Sequence, residues 1–279
     1  MIVDTHAHLQ FRRRESESES ADTQAGSFAT SFDDLADVLE RAHEAGVTQI
    51  INVGVTPEDS RAALRLAQDK QWSADKTGVK LYATAGIHPH EAGLGDQALD
   101  LIHDMAEDVV AIGECGLDYF RNVVPQDLQE HMLRAQIEIA LEYNLPAIFH
   151  VRDAWDDFFR ILEDYAQLRG VIHSFTGHTQ EVQQALKHPG ELYFGLNGIM
   201  TFTKDDAQLE AVRAMPRERV LLETDCPFLA PAPYRGKRNE PAYLPAVADV
   251  LATLQGVSVE ELAQVTTANA NELFMLDVL

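Results

Sequence analysis

Eight short β-rich runs alternate with amphipathic stretches along almost the whole chain, and few architectures accept that rhythm. The runs are Met1–Thr5, Thr48–Val53, Lys80–Ala85, Val109–Gly113, Pro146–Phe149, Gly170–Ile172, Glu191–Gly195 and Arg219–Glu223. Helical periodicity separates them, over Phe32–Ala45, Pro57–Asp69, Gly95–Glu107, Gln126–Tyr143, Ala154–Tyr165, Thr179–Lys187 and Lys204–Met215. Asp156 and Thr179 stand near helix starts and Gly46 near a stop. A strand–helix unit repeated eight times predicts an α/β fold, a single (β/α)8 TIM-type barrel with its active site at the C-terminal ends of the strands. A doubly wound open sheet is the alternative. After the eighth run come a Pro-rich loop at Ala230–Pro245 and helices from about Ala246 to the end. The 279 residues, 46% of them hydrophobic, suffice for one large core, so residues 1–279 are read as one domain.

The segment Arg12–Thr30 breaks the pattern. Three arginines lead into alternating Glu and Ser and then small polar residues, which offer no apolar surface to bury. It reads as a mobile insertion between the first strand and its helix, either a tolerated surface loop or a flap that contacts substrate.

Candidate chemistry sits where the runs end. Residues i and i+2 of a strand share a face, so His6 and His8 can grip one cation between them. That pair alone specifies little, but further donors recur in register with the later runs. His88 and His90 follow the third, Glu114 the fourth and Asp225 the eighth, while His150 and His173 end the fifth and sixth. Imidazoles and carboxylates hold a divalent cation while leaving positions for water and substrate. Glu114 is the best-placed bridge between two cations, since each carboxylate oxygen can face one. Val109–Gly113 contains no lysine that would supply a modified bridge instead. Cys115 and Cys226 directly follow two of these donors, so on extended backbone they are expected to point away as structural thiols, unpaired with each other. His43, His103, His131 and His188 fall in or near helices and read as ordinary surface or capping residues; His178 precedes a helix and is left open between such a role and a functional one, the ordinary role being favoured.

The loop Arg235-Gly236-Lys237-Arg238 packs three cations into four residues of a chain whose formal net charge is -23. Arg grips phosphate bidentately and Lys as a point charge; surface ion pairing is the alternative. Arg152, just past His150, adds a cation to the same face. The net charge by itself argues against a polyanionic partner. Local sign decides more than the total, because fields decay within about 8 Å at physiological salt and bound cations invert the sign nearby. No basic and apolar leader precedes the first run, and no apolar run approaches the roughly 20 residues of a membrane span. With only two cysteines, a cytoplasmic location is expected, with no membrane and no obligate protein partner.

Taken together, these segments resemble the TatD family of metal-dependent deoxyribonucleases, within the larger superfamily of barrel-shaped metallohydrolases. The matching stretches are Asp4–Leu9, Gly86–His90, Gly113–Tyr119, Pro146–Arg152, His173–Gly177, Leu222–Pro227 and Arg235–Pro241. The resemblance covers nearly the whole chain. It implies a barrel, two divalent cations (zinc, manganese or magnesium) and hydrolysis of phosphodiester bonds in DNA. It places His6, His8, Glu114 and Asp225 at one metal, and Glu114, His150 and His173 at the other. Two departures stand out. The Arg12–Thr30 insertion is longer than this family usually carries, and Glu272 occupies a tail position that often holds a basic residue.

The expected reaction has hydroxide, generated at the cations, attacking phosphorus, with Asp225 and Glu114 as catalytic residues and Asp225 orienting or deprotonating the water. His88, Arg152, Arg235, Lys237 and Arg238 are the candidate substrate contacts; a buried packing role for His88 is equally open. A hydrolase of carboxylic esters, lactones or aminoacyl esters on the same barrel is the first alternative, and a non-catalytic metal-binding barrel the second.

Overall fold

In the computed structural model, which describes residues 1–11 and 32–276, the eight expected strands all form. They are β1 (Ile2–Ala7), β2 (Val47–Asn52), β3 (Lys80–Ala83), β4 (Ile112–Asp118), β5 (Ala147–Arg152), β6 (Gly170–Ile172), β7 (Leu192–Leu196) and β8 (Val220–Leu222). The Arg12–Thr30 insertion, and any contact it makes, lies outside the described residues. Three strands run further than their apolar pattern suggests. His6, Glu114 and His150 therefore lie inside β1, β4 and β5 rather than at or beyond their ends. The reason is pairing: Cys115, Leu117 and Asp118 continue the ladder opposite Phe149, Val151 and Arg152, although inward side chains there are polar.

All pairings are parallel and follow chain order, β1 to β3 and β4 to β8. Both remaining seams are bridged. The Val110 N–H donates to the Ala83 carbonyl at 3.0 Å and that of Gly113 to Ala85 at 2.8 Å. Across the other seam, Asp225 N–H donates to His6 O and His8 N–H to Cys226 O, both at 2.8 Å. The cylinder is closed, and the open-sheet alternative is excluded.

Helices α1 (Leu35–Glu44), α2 (Pro57–Gln68), α3 (Ala74–Thr77), α4 (Asp96–His103), α5 (Gln126–Glu142), α6 (Trp155–Leu162), α7 (Thr179–Lys187) and α8 (Asp206–Ala214) connect the strands, and α9 (Leu244–Gln255) and α10 (Val259–Phe274) close the chain. No single described helix is long and apolar enough to cross a membrane. Starts follow side-chain chemistry: Thr56, Asp205 and Ser258 accept from backbone N–H groups in the first turns of α2, α8 and α10.

Strand alternation sorts the buried residues into two layers. Val3, Ile51, Ala111, Ile148, Val171, Tyr193 and Leu221 pack together inside the barrel. Their sequence neighbours, among them Ile2, Ile50, Ile112, Phe149, Ile172, Phe194 and Leu222, pack outward against the helices. Ala270, Leu273 and Phe274 of α10, with Leu276, join the inner cluster and plug the N-terminal end of the barrel. At the other end, ion pairs tie the loop after β8 to α1. Arg41 donates to both oxygens of buried Glu240 at 2.8 and 2.7 Å, and Arg238 to both oxygens of Asp34 at 2.8 Å.

If α10 is the floor of the barrel, Phe274→Ala should cost about 3–5 kcal/mol, since this ring is 2% exposed. Urea unfolding of the variant measures it; a loss below about 1 kcal/mol would mean that the inner cluster does not depend on that plug.

Candidate metal centre

The polar floor of the site begins two residues above the inner apolar layer. Ile148 is followed at that spacing by His150, Val171 by His173 and Leu221 by Glu223, so simple alternation aims these three inward. β1 and β4 depart from simple alternation. The β1–β2 register shifts between Asp4 and Ala7, and the β4–β5 register between Ile112 and Cys115. Such irregularities re-aim side chains. They turn His6 and Glu114 inward, where Thr5 and Gly113 would otherwise point, while Ala7 and Cys115 pack in the outer layer. Gly116 is required beside them: a Cβ there would meet the His150 carbonyl at 1.9 Å, and its φ is +150.

Two groups of donors result, and Glu114 lies between them. Its Oε2 is 3.4 Å from His6 Nε2. Its Oε1 is 2.9 Å from His150 Nδ1, 3.6 Å from His88 Nε2 and 3.8 Å from His173 Nε2. On the first side, His6 Nε2 and His8 Nε2 are 3.2 Å apart, and Asp225 Oδ1 lies 3.9 and 3.5 Å from them. These separations bracket the roughly 3.4 Å between ligands of a tetrahedral ion with bonds of about 2.1 Å. His8 Nδ1 lies 2.8 Å from the Val53 carbonyl. That contact places the proton on Nδ1 and leaves Nε2 as a lone pair. Lone pairs and carboxylate oxygens crowded this way repel one another without a cation, so the donor set fits a divalent metal.

The electrostatics are those of a buried cluster. Burial alone would raise the Glu114 carboxyl, but His88, His173, His150 and His6 hold it well below the usual carboxylate range. Asp225 is likewise lowered despite burial, chiefly by the His8 ring beside it and then by His173 and His6. Burial opposes charge on His173, yet the carboxylates of Glu223 and Glu114 raise it to about 10. Burial lowers His88 to about 3.

Asp118, Glu223 and Asp4 were given no role from sequence. Asp118 is buried, and its Oδ2 lies 2.9 Å from His90 Nε2 and 3.2 Å from His150 Nε2. Glu223 Oε1 sits 2.9 Å from His173 Nδ1 and accepts the Ser174 N–H at 2.7 Å. Asp4 accepts the Thr224 N–H at 2.9 Å and its hydroxyl at 2.6 Å, fixing the turn that carries Asp225. Asp225 itself takes a left-handed backbone, φ 56. Strand parity was the available signal: Asp118 lies four residues from Glu114, and Glu223 two from Leu221.

Of the other expected contacts, His88 joins the second donor group with Glu114 and His150. A cavity of about 300 Å3 opens over both groups, with Phe11, His90, Glu91 and Phe228 among its lining residues. None of the four candidate cations lines it among the described residues. Arg152 is exposed and sits 4.0 Å over the Phe120 ring. Arg235 stacks 3.8 Å over Phe202 and donates to the Ala230 carbonyl. Lys237 is exposed beside Tyr234, and Arg238 is engaged by Asp34. A larger cavity of about 790 Å3, between Phe11 and helices α1 and α2, contains none of the metal-site donors. Both cysteines are free and buried; the Cys115 thiol contacts the Ile148 carbonyl at 3.7 Å. His178 lies at the start of α7, its ring 3.1 Å from Asp205.

Comparison with known proteins adds an independent line. A family model described as TatD related DNase matches residues 3–275. The metal-dependent hydrolase YabD of Bacillus subtilis strain 168, described as uncharacterized, is 38% identical over 99% of this chain and 100% of its own length. A protein named 3'-5' ssDNA/RNA exonuclease TatD, from Citrobacter rodentium strain ICC168, is 38% identical over 86% of this chain and 92% of its own. The crystal structure of YJJV, a TatD homologue from Escherichia coli K12, superposes with a TM-score of 0.83 at 27% identity, covering 99% of this chain and 98% of that one. Sequence and fold agree over nearly the whole chain, and the chain belongs to the TatD family of metal-dependent DNases.

Proposed function

We propose that this enzyme is a two-metal nuclease that cleaves phosphodiester bonds in single-stranded DNA from a free end. His6, His8, Glu114 and Asp225 hold one divalent cation, and Glu114, His150 and His173 the other. The observation that carries the reading is the pose of Glu114, which presents one carboxylate oxygen to each donor group. A single-stranded substrate and an end-directed mode are in keeping with the name of the Citrobacter relative. Donor softness favours zinc or manganese over magnesium. Two buried free thiols suit a reducing compartment such as the cytoplasm.

Divalent cations bound there would lower the pKa of a water and neutralise charge on phosphoryl oxygens. The chain's own groups do the rest. The Asp225 carboxylate, ionised at neutral pH, accepts the proton of the attacking water at Oδ1 or Oδ2. Its backbone is locked by Asp4 through Thr224 and by the His6 carbonyl, so the acceptor is held in one place. His8 is kept in the tautomer that leaves Nε2 available by Val53, and His173 and His150 are oriented by Glu223 and Asp118. The walls around Glu114 keep bulk water from the buried side of the cluster.

The engagement of Arg238 by Asp34 favours a second reading, hydrolysis of a carboxylic ester, because it removes one phosphate-matched cation from the β8 loop. Arg235, Lys237 and Arg152 remain the proposed phosphate contacts at the rim. DNA affinity against salt for wild type and the Arg235→Gln/Lys237→Gln variant separates the two. The nuclease reading expects a log–log slope shallower by about 0.7 per lost contact. An unchanged slope, with a neutral ester cleaved faster than DNA by both proteins, would favour the esterase.

Two substitutions test the residue roles. Glu114→Gln should lower occupancy of both metal positions, since it removes the shared charge; metal analysis after loading and gel filtration reports it, and full dinuclear occupancy would remove Glu114 as the bridge. Asp225→Asn should reduce turnover at least about 10²-fold with the folded structure retained. Near-normal turnover with both metals bound would exclude Asp225 as the base.

A further inference from the structure

Phe228 is 38% exposed at the mouth of a cavity lined, apart from Phe11 and Val55, by imidazoles and carboxylates, and an exposed phenyl needs a reason. Its backbone is held firmly. The Phe228 N–H donates to the Asp225 carbonyl at 2.9 Å. Fully buried Asn239 donates from Nδ2 to the carbonyls of Phe228 and Thr224 at 2.6 and 2.8 Å, and from its N–H to Pro227 at 3.0 Å. The fold thus presents a fixed apolar ring three residues from Asp225. Phe11 stands across from it. Its ring stacks on His8 with centroids 4.4 Å apart at 15°, and meets Phe228 edge to face at 6.1 Å and 69°. The two phenyls make a corner whose inner side rests on His8, itself a member of the first donor group.

We propose that Phe11 and Phe228 form a stacking platform for the nucleobase beside the cleaved phosphodiester, and so select unpaired bases. The proposal rests on the nuclease reading. In a chain of net charge -23, none of the candidate cationic side chains lines the cavity among the described residues, so beyond the phosphodiester that bound metals would neutralise, affinity there has to come from uncharged contacts. Aromatic stacking is indifferent to that charge and tolerant of sequence, because every base has a π-face. A base in a duplex has its faces covered by neighbours and cannot enter the corner without unstacking. The platform therefore discriminates strandedness with no base-edge contact.

The test compares a short single-stranded DNA with the same strand carrying abasic tetrahydrofuran residues at its two terminal positions at each end, both with manganese-loaded full-length protein. Wild type should lose about tenfold or more in kcat/KM on the abasic strand, the low end expected for one stacked base, and mainly through KM. Phe228→Leu and Phe11→Leu keep apolar volume but remove the π-face, and should shrink that gap between the two strands. Phe228→Trp should restore it. Equal cleavage of both strands by wild type overturns the platform, and so does a gap that the leucine variants leave unchanged. If wild type cleaves neither strand, the nuclease reading itself falls, and the platform with it.

Discussion

A carboxylate taken out of water must be matched where it lies, and Glu114 is the point at which this barrel meets that demand. It is 4% exposed at the level where the apolar interior ends. Four imidazoles surround it, those of His6, His88, His150 and His173; His173 is held from behind by Glu223 and His150 by Asp118, as nearby His8 is by the Val53 carbonyl. Those carboxylates are held in turn by backbone N–H groups of Ser174 and Arg121 and by the amides of Asn197 and, through the Asp118 backbone, Gln129. Charge at the centre is thus passed outward in steps until it reaches the main chain. A structure of this kind tolerates little slack, because each buried polar group left unmatched costs about 1–3 kcal/mol.

The two register shifts show how a regular scaffold acquires such a centre. A barrel with unbroken alternation would point Thr5 and Gly113 inward, neither of which offers an imidazole or a carboxylate. The irregularity between Asp4 and Ala7 in β1 and that between Ile112 and Cys115 in β4 substitute His6 and Glu114. The remaining strands stay regular and contribute His150, His173 and Glu223 by parity alone. The outward neighbours, Ala7 and Cys115, are small enough to close the outer layer over the bends.

How much of this was legible depended on range. Eight strands and the helices between them were readable because periodicity is local. So was the gathering of imidazoles and carboxylates in one place, because these candidate donors stand at the C-terminal ends of apolar runs. The extent of β1, β4 and β5 was not readable, since polar residues that end a hydrophobic run can still continue a ladder when they face a site. The supporting acids were also hidden. Asp118 and Glu223 look like any surface carboxylate until β4 and β8 curve them behind His150 and His173. The pairing of Arg238 was hidden for a similar reason. As a string, Arg235–Arg238 is a cationic patch; in three dimensions one member is claimed by Asp34, more than two hundred residues earlier in the chain.

The floor made by α10 has a consequence for any long substrate. With Phe274 and its neighbours filling the far end, the barrel is a blind well and not a tunnel. A group that reaches the donors therefore comes and goes on the side of the cavity over them, and no route leads on through the apolar interior beneath.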